Sequence, residues 1–295
     1  MNNVFSTYHP IINFGFFCCV IGIGIFLMHP VFLAIGMSAA LIYSLMTGGR
    51  GSLKFCLCFL LPMIILISVI NPLVNHHGMT ILFYTKNSYI TLEALIYGIA
   101  SGVMLASVLL WFSCCNKIMT TDKFIYLFGR VIPALSLILS MVMRFVPNYK
   151  MQLAKISDAQ KCIGRDALSG SMAKKARHGS KIISVMFTWA LENAVDTADS
   201  MRSRGYGIKG RTTFSIYHFD RRDAFAGVFI FASAAVVLIG AAFGRCSIEF
   251  YPYIAAADID VFSLIVYIAY FMMCYFPIAA EVKEALTWRF LQSKI

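Results

Sequence analysis

Charge is scarce in this chain. Only 13% of the 295 residues are Asp, Glu, Lys or Arg, about half the share of an average soluble protein, and mean hydropathy is +0.76. That excludes an ordinary soluble domain. No Lys or Arg precedes the first apolar run in "MNNVFSTYHP" and no small-residue cleavage site follows it, so a cleavable leader is not expected. The apolar runs show no alternation at period two, which excludes an outer-membrane barrel. No Walker motif is present, so the chain is not expected to hydrolyse ATP itself. None of the nine cysteines forms a CxxC pair, and they read as small apolar residues rather than as a disulfide framework or zinc site. No repeat, low-complexity tract or nucleic-acid motif is present.

What remains is long hydrophobic runs. Six could span a bilayer, roughly 11–28, 31–46, 53–73, 89–113, 224–243 and 261–280, given about 20 residues per helix. Pro30, in "MHPV", stops the first helix and starts the second. The expected fold is all-α, a polytopic helical membrane protein of about six spans with long amphipathic helices between the fourth and fifth. Residues 114–222 hold 18 of the 25 Lys and Arg but 7 of the 14 acids, so the whole excess of positive charge lies there. With Arg50, Lys54 and the tail "EVKEALTWRFLQSKI", it predicts both termini and residues 114–222 on the cytoplasmic side of the cell membrane. Three regions follow: transmembrane helices in 1–113, a cytoplasmic region of amphipathic helices in 114–222, and transmembrane helices with a tail in 223–295.

Within the middle region, "VIPALSLILSMVMRFVP" (131–147) predicts a short buried or interfacial helix closed by Pro147. A second helix follows in "NYKMQLAKISDAQKCIGRDAL". The polar segment "SGSMAKKARHGS" predicts a loop. Beyond it, Ile183, Met186, Phe187, Ala190, Ala194, Ala198 and Met201 recur at helical period opposite Glu192, Asp196, Asp199 and Arg202, which predicts a rod over Lys181–Ser203. These helices look nearly free of interior Gly and Pro.

Candidate chemistry is sparse. Glu93 lies within about one turn of the start of span four, where a solvated carboxylate is expected. His76 and His77 are adjacent, so they project to different faces, and no third ligand stands near; no metal site is expected. The end of the last amphipathic helix is different. "SMRSRGYG" sets Arg202 and Arg204 in its final turn, with Gly205 suited to the left-handed C-terminal position and Tyr206 after it. Dipole compensation alone explains cations there. A rigid rod ending in Arg beside Gly also suits entry into a partner's groove. On the residues alone both readings stand.

These stretches resemble the transmembrane T component of energy-coupling factor (ECF) transporters, the family that includes CbiQ-type cobalt transporter subunits. "ADSMRSRGYG" is similar to the family's second coupling motif, with Ser203, Arg204 and Gly205 as its triplet and Arg202 and Tyr206 at its sides. "DAQKCIG" is similar to the first, usually Ala-Gln-x-Ala-Arg-Gly, here Ala159, Gln160, Cys162, Ile163 and Gly164. Ile163 replaces its Arg, with Lys161 and Arg165 two residues to either side. "MRFVP" resembles the element that opens the preceding coupling helix, through Arg144, Phe145 and Pro147. "NPL" at 71–73 and "HP" at 9–10 agree more weakly. The resemblance implies no catalytic residue and no cofactor in this chain. It implies two ABC-type ATPase subunits that use the ATP, a separate membrane S component that binds the vitamin or metal ion, and the lipid bilayer as surroundings. Two other readings stay open: an interfacial enzyme that holds anionic lipid through Asp196 and Asp199, and an ABC permease with its own substrate path.

Overall fold

The computed structural model describes residues 4–75, 78–85, 88–129, 132–164, 171–206, 217–244, 248–251, 255–256 and 260–292. It is almost entirely helical. The chain divides into two compact units, Met1–Phe124 with Tyr217–Ile295, and Ile125–Ile216.

In the first unit, α1 (Pro10–Phe26) and α2 (Pro30–Phe55) each open on a His-Pro pair. His9 and His29 are the N-caps: their Nδ1 atoms accept from the Ile11 and Val31 amides at 3.3 and 3.4 Å. Proline next in line has a φ already set for the helix and no N–H left unpaired.

The runs read as spans two and three form one nearly unbroken helical stretch, Pro30–Val74. After α2 come a π-helical turn, Cys56–Leu60, and α3 (Leu61–Val74). At about 68 Å if straight, this is twice a bilayer core of about 30 Å. It is not straight. Gly49 has φ 50° and ψ −132°, and the packing against α4 (Leu92–Ile118) shows the chain doubling back. Gly36 lies beside Ser107 and Gly48 beside Lys117, but Ile64 lies beside Gly102 and Ser68 beside Gly98. One arm therefore runs parallel to α4 and the other antiparallel. At the bend Lys117 Nζ donates to Ser52 Oγ at 2.9 Å.

Two antiparallel hairpins sit in stretches read as outer loops: β1 (Ile81–Thr85) with β2 (Ser88–Thr91), and β3 (Ile248–Glu249) with β4 (Ala255–Ala256). Residues 89–91, read as part of span four, are strand, and Thr91 caps α4. Glu93 is not solvated as expected. It is 4% exposed, and its Oε1 accepts from the Thr80 hydroxyl at 2.6 Å and the Thr80 amide at 3.2 Å. The carboxylate latches the strand segment onto the first turn of α4. His76 and His77 lie outside the described residues. No group of three or more His, Cys, Asp or Glu side chains able to hold a metal occurs among the described residues.

Helix α5 (Thr121–Gly129) leads toward the second unit, which holds α6 (Pro133–Cys162) and α7 (Met172–Ser203); α8 (Arg221–Ala242) returns the chain to the first unit and α9 (Val261–Gln292) ends it. The stretch read as a tail after span six continues α9 as helix to Gln292. Among the described residues, four helical stretches are long and apolar enough to cross a membrane: Pro30–Val74, α4, α8 and α9; α1 is apolar but shorter. Their shared core is aromatic, with Phe5, Phe16, Phe17, Phe32, Tyr43, Trp111 and Tyr270 all essentially buried. Phe16 meets Trp111 edge-on at 5.7 Å. Outward, Leu57, Phe59, Ile65, Leu66, Leu73, Phe225, Val228 and Leu264 are each more than half exposed. An apolar exterior of this extent is stable in hydrocarbon and not in water.

The N-terminal turn Val4–Thr7 is gripped by the segments through which the chain leaves and re-enters this unit. Lys123 Nζ donates to the Ser6 carbonyl at 2.6 Å. Arg222 donates to Thr7 Oγ1 at 3.1 Å and lies 4.4 Å over the Tyr8 ring. The His9 amide donates to Asp223 Oδ1 at 3.4 Å.

Candidate docking site

The second unit is built on two long helices. At 1.5 Å per residue, α6 is about 45 Å long and α7 about 48 Å. Both are longer than the sequence suggested, for separate reasons. Pro147 does not close a helix; it lies inside α6. Its ring removes one hydrogen bond, to the carbonyl of Met143. Both residues are exposed, where water or a polar headgroup can satisfy that carbonyl. Arg144, Phe145 and Pro147 thus lie mid-helix, not at a helix start. In α7, Met172–Ser180, expected as loop, is helical. The Ala, Lys, Met and Arg of "MAKKARHGS" favour helix strongly enough to carry Gly179, which costs about 1 kcal/mol relative to Ala. Interior Pro and Gly are therefore present in these rods, one in each.

The helices meet at mid-length. Tyr149 packs edge-on against Trp189, with ring centroids 5.5 Å apart and planes at 78°, and Phe145 stacks on Tyr149 at 5.8 Å. The apolar arc of α7 divides in two. Ile182, Met186, Trp189, Ala190 and Met201 lie on its less exposed side. Ile183, Phe187, Leu191 and Val195 form a neighbouring stripe, each more than half exposed. Glu192, Asp196 and Asp199 point to solvent and form no enclosed acidic cluster.

The C-terminus of α7 is a Schellman turn. Arg204 is the C-cap (φ −84°, ψ 8°) and Gly205 takes the left-handed φ of 75°. The Tyr206 amide donates to the Met201 carbonyl at 3.1 Å and the Gly205 amide to the Arg202 carbonyl at 3.0 Å. These two bonds define the motif and satisfy carbonyls that would otherwise be orphaned. Arg202, Ser203 and Arg204 are exposed, and Gly205 and Tyr206 half-buried.

The C-terminus of α6 shares the cap dihedrals, the left-handed glycine and one of these two bonds, while its cap amide bonds the Gln160 carbonyl three residues back where that of Arg204 bonds Ser200 four back. Ile163 is the C-cap (φ −91°, ψ 9°), Gly164 has φ 75°, and the Gly164 amide donates to the Lys161 carbonyl at 2.9 Å. Ile163 occupies the place of Arg204, Cys162 that of Ser203, and Lys161 that of Arg202. Ile163 is 65% exposed. Lys161 is tied back to Asp158 at 3.3 Å. Ala159 is exposed and Gln160 half-buried. Arg165, Lys209 and Arg211 lie outside the described residues. The sequence pointed to both glycines; it did not show that the two ends share cap dihedrals, nor that Tyr149 and Trp189 meet. Among the described residues nothing at either tip is arranged for bond chemistry. The arrangement presents side chains at the ends of stiff rods.

Comparison with known proteins bears on what such rods do. Residues 11–214 match the family described as cobalt transport protein, CbiQ. The chain is similar to the energy-coupling factor transporter transmembrane protein EcfT of Lactobacillus helveticus, 31% identical over 106 residues, covering 36% of this chain and 38% of that protein. It is also similar to EcfT 1 of Listeria monocytogenes, 32% over 107 residues, covering 36% and 40%. Against EcfT of Staphylococcus aureus identity is 27% over 180 residues, covering 54% and 66%. The match to the first two relatives spans about two fifths of their length.

Proposed function

The chain belongs to the CbiQ family of cobalt transport proteins, and from that premise we propose that it is the energy-coupling transmembrane subunit of an ECF-type importer. In this reading the helical bundle lies in the cell membrane with both termini and the second unit on the cytoplasmic side. Two ABC-type ATPase subunits take the ends of α6 and α7. A separate membrane S component carries the vitamin or metal ion, cobalt being the cargo that the family's name suggests. ATP is consumed by the partners, and this chain is not an enzyme.

One observation supports this most directly: α7 ends in a rigid turn that projects Arg204 beside a glycine with no side chain to obstruct approach. A guanidinium in that position can be held by several acceptors at once. The exposed stripe from Ile183 to Val195 supplies an apolar surface for the S component or lipid. Closure of the ATPases on ATP would move the rods, and the rods would tip the S component.

Arg204→Ala tests the reading. Losing one partner of a buried charge pair costs about 2–5 kcal/mol, so recovery of the ATPases with the purified chain should fall at least about twentyfold, or hydrolysis should continue without uptake. Wild-type recovery of both ATPases together with normal uptake refutes it. Alanine at both Asp196 and Asp199 should leave uptake unchanged, whereas an interfacial lipid enzyme would be inactivated.

A further inference from the structure

We propose that the last three turns of α9, residues 281–292, are a lipid-binding element: they lie in the headgroup layer of the bilayer and select anionic phospholipid. This goes beyond the function proposed above and stands without it, since it needs only that α9 crosses a membrane.

At 1.5 Å per residue, the 32 residues of α9 make a helix about 48 Å long, against about 30 Å for a hydrocarbon core. The helix outruns the hydrocarbon by about 18 Å, or about 12 residues. Its packing face repeats every three or four residues through Val266, Tyr270, Met273 and Pro277, all buried. That face ends in Glu281 and Glu284, which are half-buried and lie toward Tyr43 and Tyr8. From residue 285 to 292 every side chain is exposed, so the last turns stand clear of the bundle.

What these turns expose is not a surface made for water. Leu264, Ile268 and Met272 face outward in the span, and the same side of the helix continues at helical spacing to Val282, Leu286 and Phe290. Leu286 is 59% exposed and Phe290 61%. On the opposite side, Trp288 and Leu291 continue the packing face beyond Glu284, and they too are exposed. A protein partner seated on one side would leave the other apolar stripe in water. The headgroup layer surrounds both, and it is where tryptophan is favoured. Charge then selects the lipid. The two acids of the segment turn toward the bundle, whereas Lys283 and Arg289 are exposed. Among the described residues neither cation is in an ion pair. Their stems can lie along apolar surface with the charged ends at phosphate depth. Each cation at a bilayer surface favours anionic lipid by a factor of about five.

The test uses the full chain, purified with the subunits that accompany it and reconstituted in vesicles of phosphatidylcholine with a minor share of phosphatidylglycerol. The photo-reactive residue p-benzoylphenylalanine is placed singly at Leu286, at Trp288 and, as a control within the span, at Leu264. After irradiation the adducts are identified by mass spectrometry. All three positions should yield phospholipid adducts, with phosphatidylglycerol enriched over its share of the vesicle at 286 and 288 but not at 264. Lys283→Gln with Arg289→Gln should lower that enrichment about fivefold or more and leave the adducts at 264 unchanged. Lipid adducts at 264 with only protein adducts, or none, at 286 and 288 overturn the proposal and assign the tail to a partner subunit or to water. Adducts at 286 and 288 that merely follow vesicle composition, or an enrichment that survives loss of both cations, overturn it as well. None of these results bears on Arg204, so recovery of the ATPases decides the proposed function separately.

Discussion

One substitution, glycine to alanine, should have opposite effects at two glycines that both stand in open space. Nothing lies within 4 Å of a Cβ added at Gly164 or at Gly179, so sterics do not separate them; backbone conformation does. Gly164 has φ 75°, where an L-side chain costs about 1–2 kcal/mol. The reduced freedom of the unfolded chain returns about 0.4–1 kcal/mol of that. The net is a loss of about 1 kcal/mol, concentrated in the last turn of α6. Gly179 lies inside α7 with helical dihedrals, and alanine there should gain about 1 kcal/mol. By hydrogen exchange of the purified protein in nanodiscs, read by mass spectrometry, Gly164→Ala should speed exchange of the Gln160–Gly164 amides about fivefold. Gly179→Ala should slow exchange in the surrounding turns by a similar factor. Changes of the same sign at both positions would show that the left-handed turn is not what ends α6, and the likeness of the two tips would fall with it.

Lys123→Met should destabilise the bundle by about 1–3 kcal/mol, because it removes the charged hydrogen bond that buried Lys123 donates to the Ser6 carbonyl; an unchanged melting curve contradicts the grip on the N-terminal turn. A double-mutant cycle of Tyr149→Ala and Trp189→Ala should give a coupling of about 0.5–1.5 kcal/mol, and additivity would mean the helices do not meet there. Burial holds the pKa of His9 and of His29 below the ordinary 6.5, with the Asp223 charge opposing this at His9. The folded state therefore resists protonation that the unfolded state accepts, and stability should drop as pH falls through 6.5 toward the lowered values. Melting in detergent at pH 7.5 and 5.5 measures this, and His9→Asn with His29→Asn, which keep a capping side chain, should flatten the dependence; a wild-type melt independent of pH refutes the cause.

The class of fold was legible because solvent writes it directly: apolar runs long enough for a bilayer have few other uses. Individual elements were less so. Pro147 reads as a stop when only the local hydrogen bond is counted, yet one lost bond on an exposed face is a small charge against a thirty-residue helix. "MAKKARHGS" reads as loop by polarity, whereas its residues are strong helix formers and continue into α7. The reversal near Gly49 was legible, since Gly48, Gly49, Arg50 and Gly51 part the two apolar runs; that helix continues almost unbroken through the bend was not, and only the structure reveals it. At the tips, Gly205 was legible as a left-handed terminator. The likeness of the two caps was not, because Ile163 and Arg204 share cap dihedrals and nothing in side-chain chemistry.

The position of the interior breaks bears on how the second unit could work as a lever. Pro147 lies two residues before Tyr149, and Gly179 ten before Trp189; both fall on the N-terminal side of the ring contact. Between that contact and the tips, each helix is uninterrupted and ends in a turn that pairs the carbonyls of Gln160 and Lys161 in α6 and of Met201 and Arg202 in α7. Bending is cheapest where a hydrogen bond is missing or a glycine sits, so compliance lies on one side of the crossing and stiffness on the other. A displacement imposed at Ile163 or Arg204 therefore reaches Tyr149 and Trp189 with little loss along the helix. It meets its first soft points only beyond them, at Pro147 in α6 and Gly179 in α7. A lever whose arms ended in flexible glycines, or whose crossing lay beyond its kinks, would dissipate the same push before it reached the exposed stripe at Ile183, Phe187, Leu191 and Val195.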